Sequence, residues 1–254
     1  MVKDAKIIDI SYDYAPIIKM DPTLFINRVK YQSIHDIERY GKYLVFILDT
    51  DAMIMHMRME GKFYIKKIND HVSSHEHVIF SFSDGRQMRY HDVRKFGTIH
   101  LLDKNSYKNQ YPINGLGKEP KDLDPLDFYQ LIHHRKTAIK NVLLNQHIIS
   151  GLGNIYVDET LFLSGIHPKR LANKITKKEA SKLVTSAREV LDKAIALGGS
   201  TIRSYTSSLG VHGRFQNELN VHTKFGEPCP KCQNTIVKMK VGGRTSYVCE
   251  SCQK

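Results

Sequence analysis

Cys229-Pro230-Lys231-Cys232 and Cys249-Glu250-Ser251-Cys252, sixteen residues apart, are the stretch on which the reading of this 254-residue chain turns. They hold all four cysteines of the protein. A C-x-x-C knuckle presents two thiolates from one tight turn, and two knuckles complete the tetrahedral sulfur set that Zn²⁺ takes. The spacing predicts one structural zinc on Cys229, Cys232, Cys249 and Cys252. Between the knuckles, Thr235–Lys240, a glycine-bearing turn over Val241–Arg244, and Thr245–Val248 read as a β-hairpin with Arg244 at or near its tip. Two disulfides in a secreted protein would be the other reading. It finds no leader pattern and no further cysteine to support it. A ribbon this small folds around its metal, so its expected role is to hold a basic fingertip against something anionic.

The rest of the composition agrees with an anionic partner. Thirty-eight Lys and Arg against 26 Asp and Glu leave a net charge of +12, with a pI of about 9.4. Nucleic acid is the simplest polyanion to suit that balance. No apolar run reaches the roughly 18 residues that a membrane span needs, so no membrane partner is expected. Reduced, metal-binding cysteines point to the cytoplasm. Nothing in the chain signals oligomerisation, so a monomer is expected.

Working back from the ribbon, residues 1–111 read as an antiparallel β-sandwich. Lys6–Tyr14, Tyr43–Asp49, Ala52–Met59, Lys62–Lys67, His77–Ser83, Gln87–His91 and Thr98–Leu102 have strand length and composition, and polar or glycine-bearing turns separate them. One short helix, Pro22–Val29, interrupts. Residues 112–124, with Pro112, Gly115, Gly117 and Pro120, read as a linker. Over 125–224 the period becomes helical: Pro125–His134, Ala138–Ile149, Ile155–Ser164 and Lys177–Leu197, the last with one apolar stripe stopped by Gly198-Gly199. Residues 225–254 are the ribbon. The class is α+β, in several domains.

Ser150-Gly151-Leu152-Gly153-Asn154 sits between two of these helices. Two glycines permit a double turn, and Asn154 is placed to N-cap the helix that follows. Such a helix start offers N–H groups and a positive dipole end to a phosphate. An ordinary packing corner between helices would look the same.

With the ribbon and this turn in hand, the sequence closely resembles the formamidopyrimidine-DNA glycosylase family. The resemblance runs through Arg39–Leu44 (RYGKYL), His56–Gly61 (HMRMEG), Tyr90–Gly97 (YHDVRKFG), Lys136–Lys140 (KTAIK), Gly151–Tyr156 (GLGNIY), Gly165–Pro168 (GIHP), Gly213–Gln216 (GRFQ), Gly226–Cys229 (GEPC) and Gly243–Thr245 (GRT), in the family's order. It implies a β-sandwich, a helix–two-turns–helix domain and a C-terminal zinc finger. It implies base excision of oxidised purines, 8-oxoguanine or formamidopyrimidine, from double-stranded DNA, followed by abasic-site lyase chemistry through β,δ-elimination. The base must be flipped out of the stack to be reached. Met59, Arg94 and Phe96 match the residues that fill the void it leaves, two apolar wedges and a hydrogen-bonding cation. His75, Lys136, Asn154 and Arg244 match the phosphate grip. Lys42 matches the family lysine credited with proton transfer. Arg244 is also credited in δ-elimination, as a stabiliser of the leaving phosphate. Tyr205–Phe215 matches the lesion-capping loop.

The family's chemistry starts at a terminal proline with a neighbouring glutamate, leading into a helix. This sequence begins Met1-Val2-Lys3-Asp4 and enters the pattern at the strand after that helix; its first proline is Pro16. Two expectations follow: an enzyme whose N-terminal segment is missing from these 254 residues, or a shortened, catalytically impaired protein that grips damaged DNA. In the chain as written, the free amine of Val2 is the first candidate for Schiff-base chemistry. An uncovered apolar sandwich face is expected as well. Val93 and Asn141 stand where the family has prolines.

Overall fold

Strand-forming runs rich in β-branched and aromatic residues build the first of two contact units, residues 1–115, in a computed structural model that describes residues 1–200 and 213–254. Its strands are β1 (Ile7–Tyr12), β2 (Asp36–Tyr40), β3 (Tyr43–Ile47), β4 (Asp51–His56), β5 (Lys62–Lys67), β6 (Glu76–Phe82), β7 (Arg86–His91) and β8 (Thr98–Asp103). They form two antiparallel four-stranded sheets, ordered β1-β6-β7-β5 and β2-β3-β4-β8. One core takes Ile7 and Ile10 from β1, Phe80 and Phe82 from β6, and Met53 and Met55 from β4. Helix α1 (Pro22–Val29) adds Phe25 and Val29 to it. Its start is written in the sequence: Asp21 accepts the Leu24 N–H at 2.8 Å, and Pro22 presets the first turn.

Two differences from the sequence reading have physical causes. Strand β2 was not expected, because Asp36-Ile37-Glu38-Arg39-Tyr40 is a polar edge strand, paired to β3 alone, with no face fully buried. Strand β4 ends at His56, before the apolar run ends at Met59. The chain turns there: Arg58 adopts φ 57°, and Gly61 N–H returns to the Met57 carbonyl at 3.1 Å.

The second unit runs from residue 116 through the described residues to Lys254. It contains α2 (Pro125–Ile132), α3 (Ile139–Leu144), α4 (Asn154–Ser164), α5 (Lys177–Ala196) and the hairpin β9 (Val237–Val241) with β10 (Arg244–Val248). Phe128 and Ile132 of α2, Ile139 and Leu143 of α3, Val157 and Leu161 of α4, and Leu183 and Val184 of α5 share a core. Thr176 and Glu179 close a capping box at the start of α5. Helix α3 is shorter than the pattern Ala138–Ile149 suggests, because Asn145 is extended and residues beyond it turn.

The contact boundary between the units falls at Gly115/Leu116, inside the stretch read as linker. Residues after it are built into the second unit. Arg188 donates to the carbonyls of Pro120 and Leu123 at 2.7 and 2.8 Å, and Leu123 joins the helical core. Phe162 of α4 packs with Val221, Cys229, Ile236 and Cys249, so the ribbon shares an apolar centre with the helices. None of the described helices is long and apolar enough to cross a membrane.

Candidate functional site

The four cysteine sulfurs lie within 4.8 Å of one another, with Cys229–Cys252 at 3.8 Å and Cys232–Cys249 at 3.4 Å. Thiolates about 2.3 Å from a tetrahedral ion stand about 3.8 Å apart, so this spread fits zinc. Lys231 N–H points at the Cys229 sulfur at 3.4 Å, as a knuckle turn requires. The ribbon holds one structural zinc. Among the described residues these cysteines are the group whose ligand atoms could share a metal; His71, His75 and His77 do not form one.

The hairpin turn is Gly242-Gly243, at φ 55° and 75°, which suits a two-residue reversal. Arg244 opens β10 opposite Val241 and is exposed at that tip, where the sequence placed it. The residue after it is anchored from below. The Thr245 carbonyl accepts from Lys140 Nζ at 3.0 Å and from Asn154 Nδ2 at 3.0 Å. Lys140 is fully buried and pairs with Asp158 at 2.7 Å, and Asp158 also meets His222 Nδ1 at 2.8 Å. Burial pulls the Lys140 ammonium below the ordinary lysine range, against the pull of Asp158. Asn141 lies against the turn: a Cβ on Gly242 would come within 2.1 Å of its Oδ1.

Asn154 is not the N-cap. Gly153 holds that position, and Asn154 is the first residue of α4, with its amide turned onto β10. The glycine takes the extended cap conformation, which frees the asparagine side chain to tether the hairpin. Lys136 is exposed in the connection between α2 and α3 rather than on a helix. Gly213 and Phe215 pack against the end of α5, Phe215 N–H donating to the Gly199 carbonyl at 3.0 Å. The remainder of the expected capping loop, residues 205–212, lies outside the described residues.

In the first unit, Met59, Arg94 and Phe96 come together on the surface. Met59 is 73 % exposed and Phe96 53 % exposed, and both are too large and apolar to stand in water for packing reasons. Arg94 Nη1 is 3.0 Å from the Met59 sulfur, and its guanidinium lies 4.6 Å over the Phe96 ring. A core role for Met59 is thereby excluded; Met53 and Met55 are the core methionines of that run. Val93 is exposed in the same turn, which the buried Asp92 carboxylate holds by accepting N–H groups of Arg94, Phe96 and Gly97.

Lys42 stands at the two-residue tip of the β2–β3 hairpin, beside Gly41 at φ 55°. Pattern reading did not single out His56, which pairs across from Tyr43 next to this tip. Its Nδ1 accepts the Arg58 N–H at 2.9 Å, so Nε2 carries the ring proton. Burial, then the charges of Arg58 and Lys42, bring its pKa down to about 4, so it is a neutral donor at neutral pH. His75 is half-buried and edge-on to His91, with ring centroids 5.6 Å apart. Its loop is clamped by Arg89, which is fully buried. All five donors of that guanidinium are engaged: Gln87 Oε1, the Glu76 carboxylate, and the carbonyls of Lys67, Asp70 and His71, at 2.9 to 3.1 Å.

Val2, the first candidate for the Schiff-base amine, is 4 % exposed and belongs to the sandwich core. The other residues missed by pattern reading, Lys140, Asp158 and Asp92, are charged groups inside apolar surroundings. Asp158 left one signal, the Asp158-Glu159 pair in the otherwise uncharged α4.

Comparison with known proteins agrees with this geometry. Residues 1–99 match the formamidopyrimidine-DNA glycosylase N-terminal domain, 116–206 the formamidopyrimidine-DNA glycosylase H2TH domain, and 226–254 the zinc finger found in FPG and IleRS. The formamidopyrimidine-DNA glycosylase of Mycoplasma mobile is 45 % identical over 226 residues, covering 88 % of this chain and 82 % of that protein. The one from Bacillus cereus is 41 % identical over 257 residues, covering 100 % and 93 %. A Lactococcus lactis Fpg in complex with DNA containing an abasic site superposes with a TM-score of 0.94 at 38 % identity, covering 100 % of this chain and 94 % of that one. Another, with DNA containing Fapy-dG, gives 0.93 at 37 %, with the same coverage. The chain belongs to the formamidopyrimidine-DNA glycosylase family of base-excision DNA-repair glycosylases.

Proposed function

We propose that this protein recognises 8-oxoguanine and formamidopyrimidine in duplex DNA, acting as a cytoplasmic monomer, and that its chemistry is base excision followed by β,δ-elimination at the abasic site. The observation that carries the reading is the exposed cluster of Met59, Arg94 and Phe96. Two apolar wedges with a guanidinium between them suit a duplex gap: they replace the lost stacking, and the guanidinium meets the orphaned base. Lys42, His75, Lys136, Asn154 and Arg244 are the proposed phosphate contacts, with neutral His56 a further donor beside Lys42. Lys42 serves proton transfer in β-elimination, and Arg244 stabilises the departing phosphate as a permanent cation. The Lactococcus lactis proteins with Fapy-dG and abasic-site DNA support the substrate class.

The second reading is a protein that grips damaged DNA without cutting it. The placement of Val2, the first candidate amine, in the sandwich core favours it. Borohydride trapping on a duplex with an abasic site, run beside a gel shift on the same DNA, decides between them. A covalent adduct supports the enzyme, and peptide mapping names the amine. Binding without an adduct supports the second reading. Lesion binding that does not weaken as salt rises would remove the phosphate grip from both.

A further inference from the structure

Tyr90 and Asp92, at the end of β7, stand between the loop that carries Met59 and the loop that carries Arg94 and Phe96. The Asp92 carboxylate is 1 % exposed and accepts four hydrogen bonds. Oδ1 takes the Arg94 N–H at 3.0 Å; Oδ2 takes Phe96 N–H at 2.9 Å, Gly97 N–H at 3.0 Å and the Tyr90 hydroxyl at 3.0 Å. Backbone N–H groups converging from one turn form an anion nest, and here the anion is built in. Within the turn Lys95 adopts φ 57°, a left-handed conformation that a side chain takes only when its surroundings enforce it. The backbone of Asp92 is fixed too. Its N–H donates to the His75 carbonyl at 3.0 Å, and its carbonyl meets His77 Nε2 at 2.9 Å.

The Tyr90 hydroxyl reaches the other loop. A Cβ on Gly97 would come within 1.8 Å of this oxygen, and one on Gly61 within 2.4 Å. The oxygen thus lies between the residue directly after Phe96 and the residue two beyond Met59. Arg58, directly before Met59, is left-handed at φ 57°, as Lys95 is directly before Phe96. Burial and the adjacent carboxylate push the phenol pKa up, which keeps Tyr90 a donor to Asp92. Met59, Arg94 and Phe96 are exposed, so packing does not fix them; what is fixed is the backbone beneath.

We infer that Tyr90 and Asp92 are positioning residues that hold the Met59 loop and the Arg94–Phe96 loop in register, and that preference for a damaged duplex depends on that register. The inference rests on the reading of Met59, Arg94 and Phe96 as the residues that fill the void. Tyr90→Phe removes one oxygen and keeps the ring against Phe63, 5.6 Å away between centroids. Asp92→Asn keeps the shape and sets a donor against converging N–H groups.

The test uses a duplex with a stable abasic analogue opposite 2-aminopurine, the matching undamaged duplex, and a temperature below the melting point of each variant. The preference ratio is expected to fall about tenfold in Asp92→Asn and about threefold in Tyr90→Phe, with undamaged binding within about twofold of the parent. The 2-aminopurine change on binding should shrink in parallel. A merely structural role would weaken both duplexes alike and leave the ratio in place, which overturns the inference. Met59→Ala separates the two levels. An unchanged ratio in Met59→Ala sinks the void-filling reading and the inference with it. A lowered ratio in Met59→Ala with parental ratios in Tyr90→Phe and Asp92→Asn sinks the inference alone. If Asp92→Asn does not fold, Tyr90→Phe decides.

Discussion

The β9–β10 turn and the turn at residues 92–97 each bring an arginine to the surface, and they hold it by opposite means. Arg244 sits on a regular hairpin with two turn glycines, closed below by four thiolates around zinc. Arg94 sits on an irregular turn with a left-handed lysine, closed below by one buried carboxylate. In the first device the hairpin and its ligands are local in sequence and depend on an ion, with Lys140 and Asn154 anchoring Thr245 from the helices. The second needs no ion but requires β7 and its neighbours to be in place first. A fingertip can therefore be lost by removing metal, whereas the Arg94 turn is lost only with its carboxylate or its sheet.

The largest expected effect on DNA binding follows from the metal. Cys232→Ser, or a strong chelator, should unfold the ribbon and lower duplex affinity on the order of 100-fold. Amide exchange in β3, β4 and the Asp92 turn should not change. Exchange that rises there as well would break the contrast between the two devices.

Next is the support beneath Arg244. Lys140→Met leaves Asp158 buried with an uncompensated charge and should cost roughly 3–5 kcal/mol in denaturant unfolding. The same change removes one of the two donors to the Thr245 carbonyl. A loss below about 1 kcal/mol would mean that His222 and the Tyr247 N–H together satisfy Asp158.

The turns themselves predict changes of opposite sign. Gly243→Ala forces a side chain into φ 75° and should cost about 1 kcal/mol, while Lys95→Gly relieves φ 57° and should gain up to about 1 kcal/mol. Thermal melting of the two variants measures both. A Lys95→Gly variant that melts lower would show that the lysine side chain, 4.7 Å over the Tyr14 ring, outweighs the strain.

The smallest expected effect is a pH dependence. His56 titrates from 6.5 when free to about 4 when folded, through burial and then Arg58 and Lys42. Between those values the unfolded chain takes up a proton that the folded chain refuses, so stability falls as pH drops from 6.5 toward 4 and is level below that. His56→Gln should lose less over that window, by on the order of 1 kcal/mol once screening of the half-buried ring is allowed for. Equal losses in parent and variant would show that His56 does not titrate in this way.

What the sequence made legible divides along the same line. The zinc ligands, the hairpin tip and helix α1, read with its observed bounds Pro22–Val29, rest on local chemistry: knuckle spacing, turn glycines, and an Asp-Pro start. The apolar runs located most of the sandwich. Strand β2 escaped because an edge strand needs no apolar face, and the end of β4 escaped because the exposed Met59 extends the same apolar run. The capping position of Asn154 was misread because an asparagine after glycine suits a cap and a tether equally, and its partner, Thr245, is distant in sequence. Tyr90, Asp92, Lys140 and Asp158 act through partners that only the folded chain brings near. A carboxylate in a polar loop looks like any solvated turn until its neighbours are counted.

Arg89 has a consequence in time. Every carbonyl it grips on residues 67–71 leaves the ribosome before Arg89 itself, and Glu76 does too. The loop that carries His75 must therefore wait, unordered, until β7 has been made and paired with β5 and β6. On refolding, its amides should gain protection together with β7, at the pace of non-local sheet assembly rather than of local turn closure. A lysine at this position, with three donors on a flexible stem, would leave part of that loop unclamped after the sheet had formed.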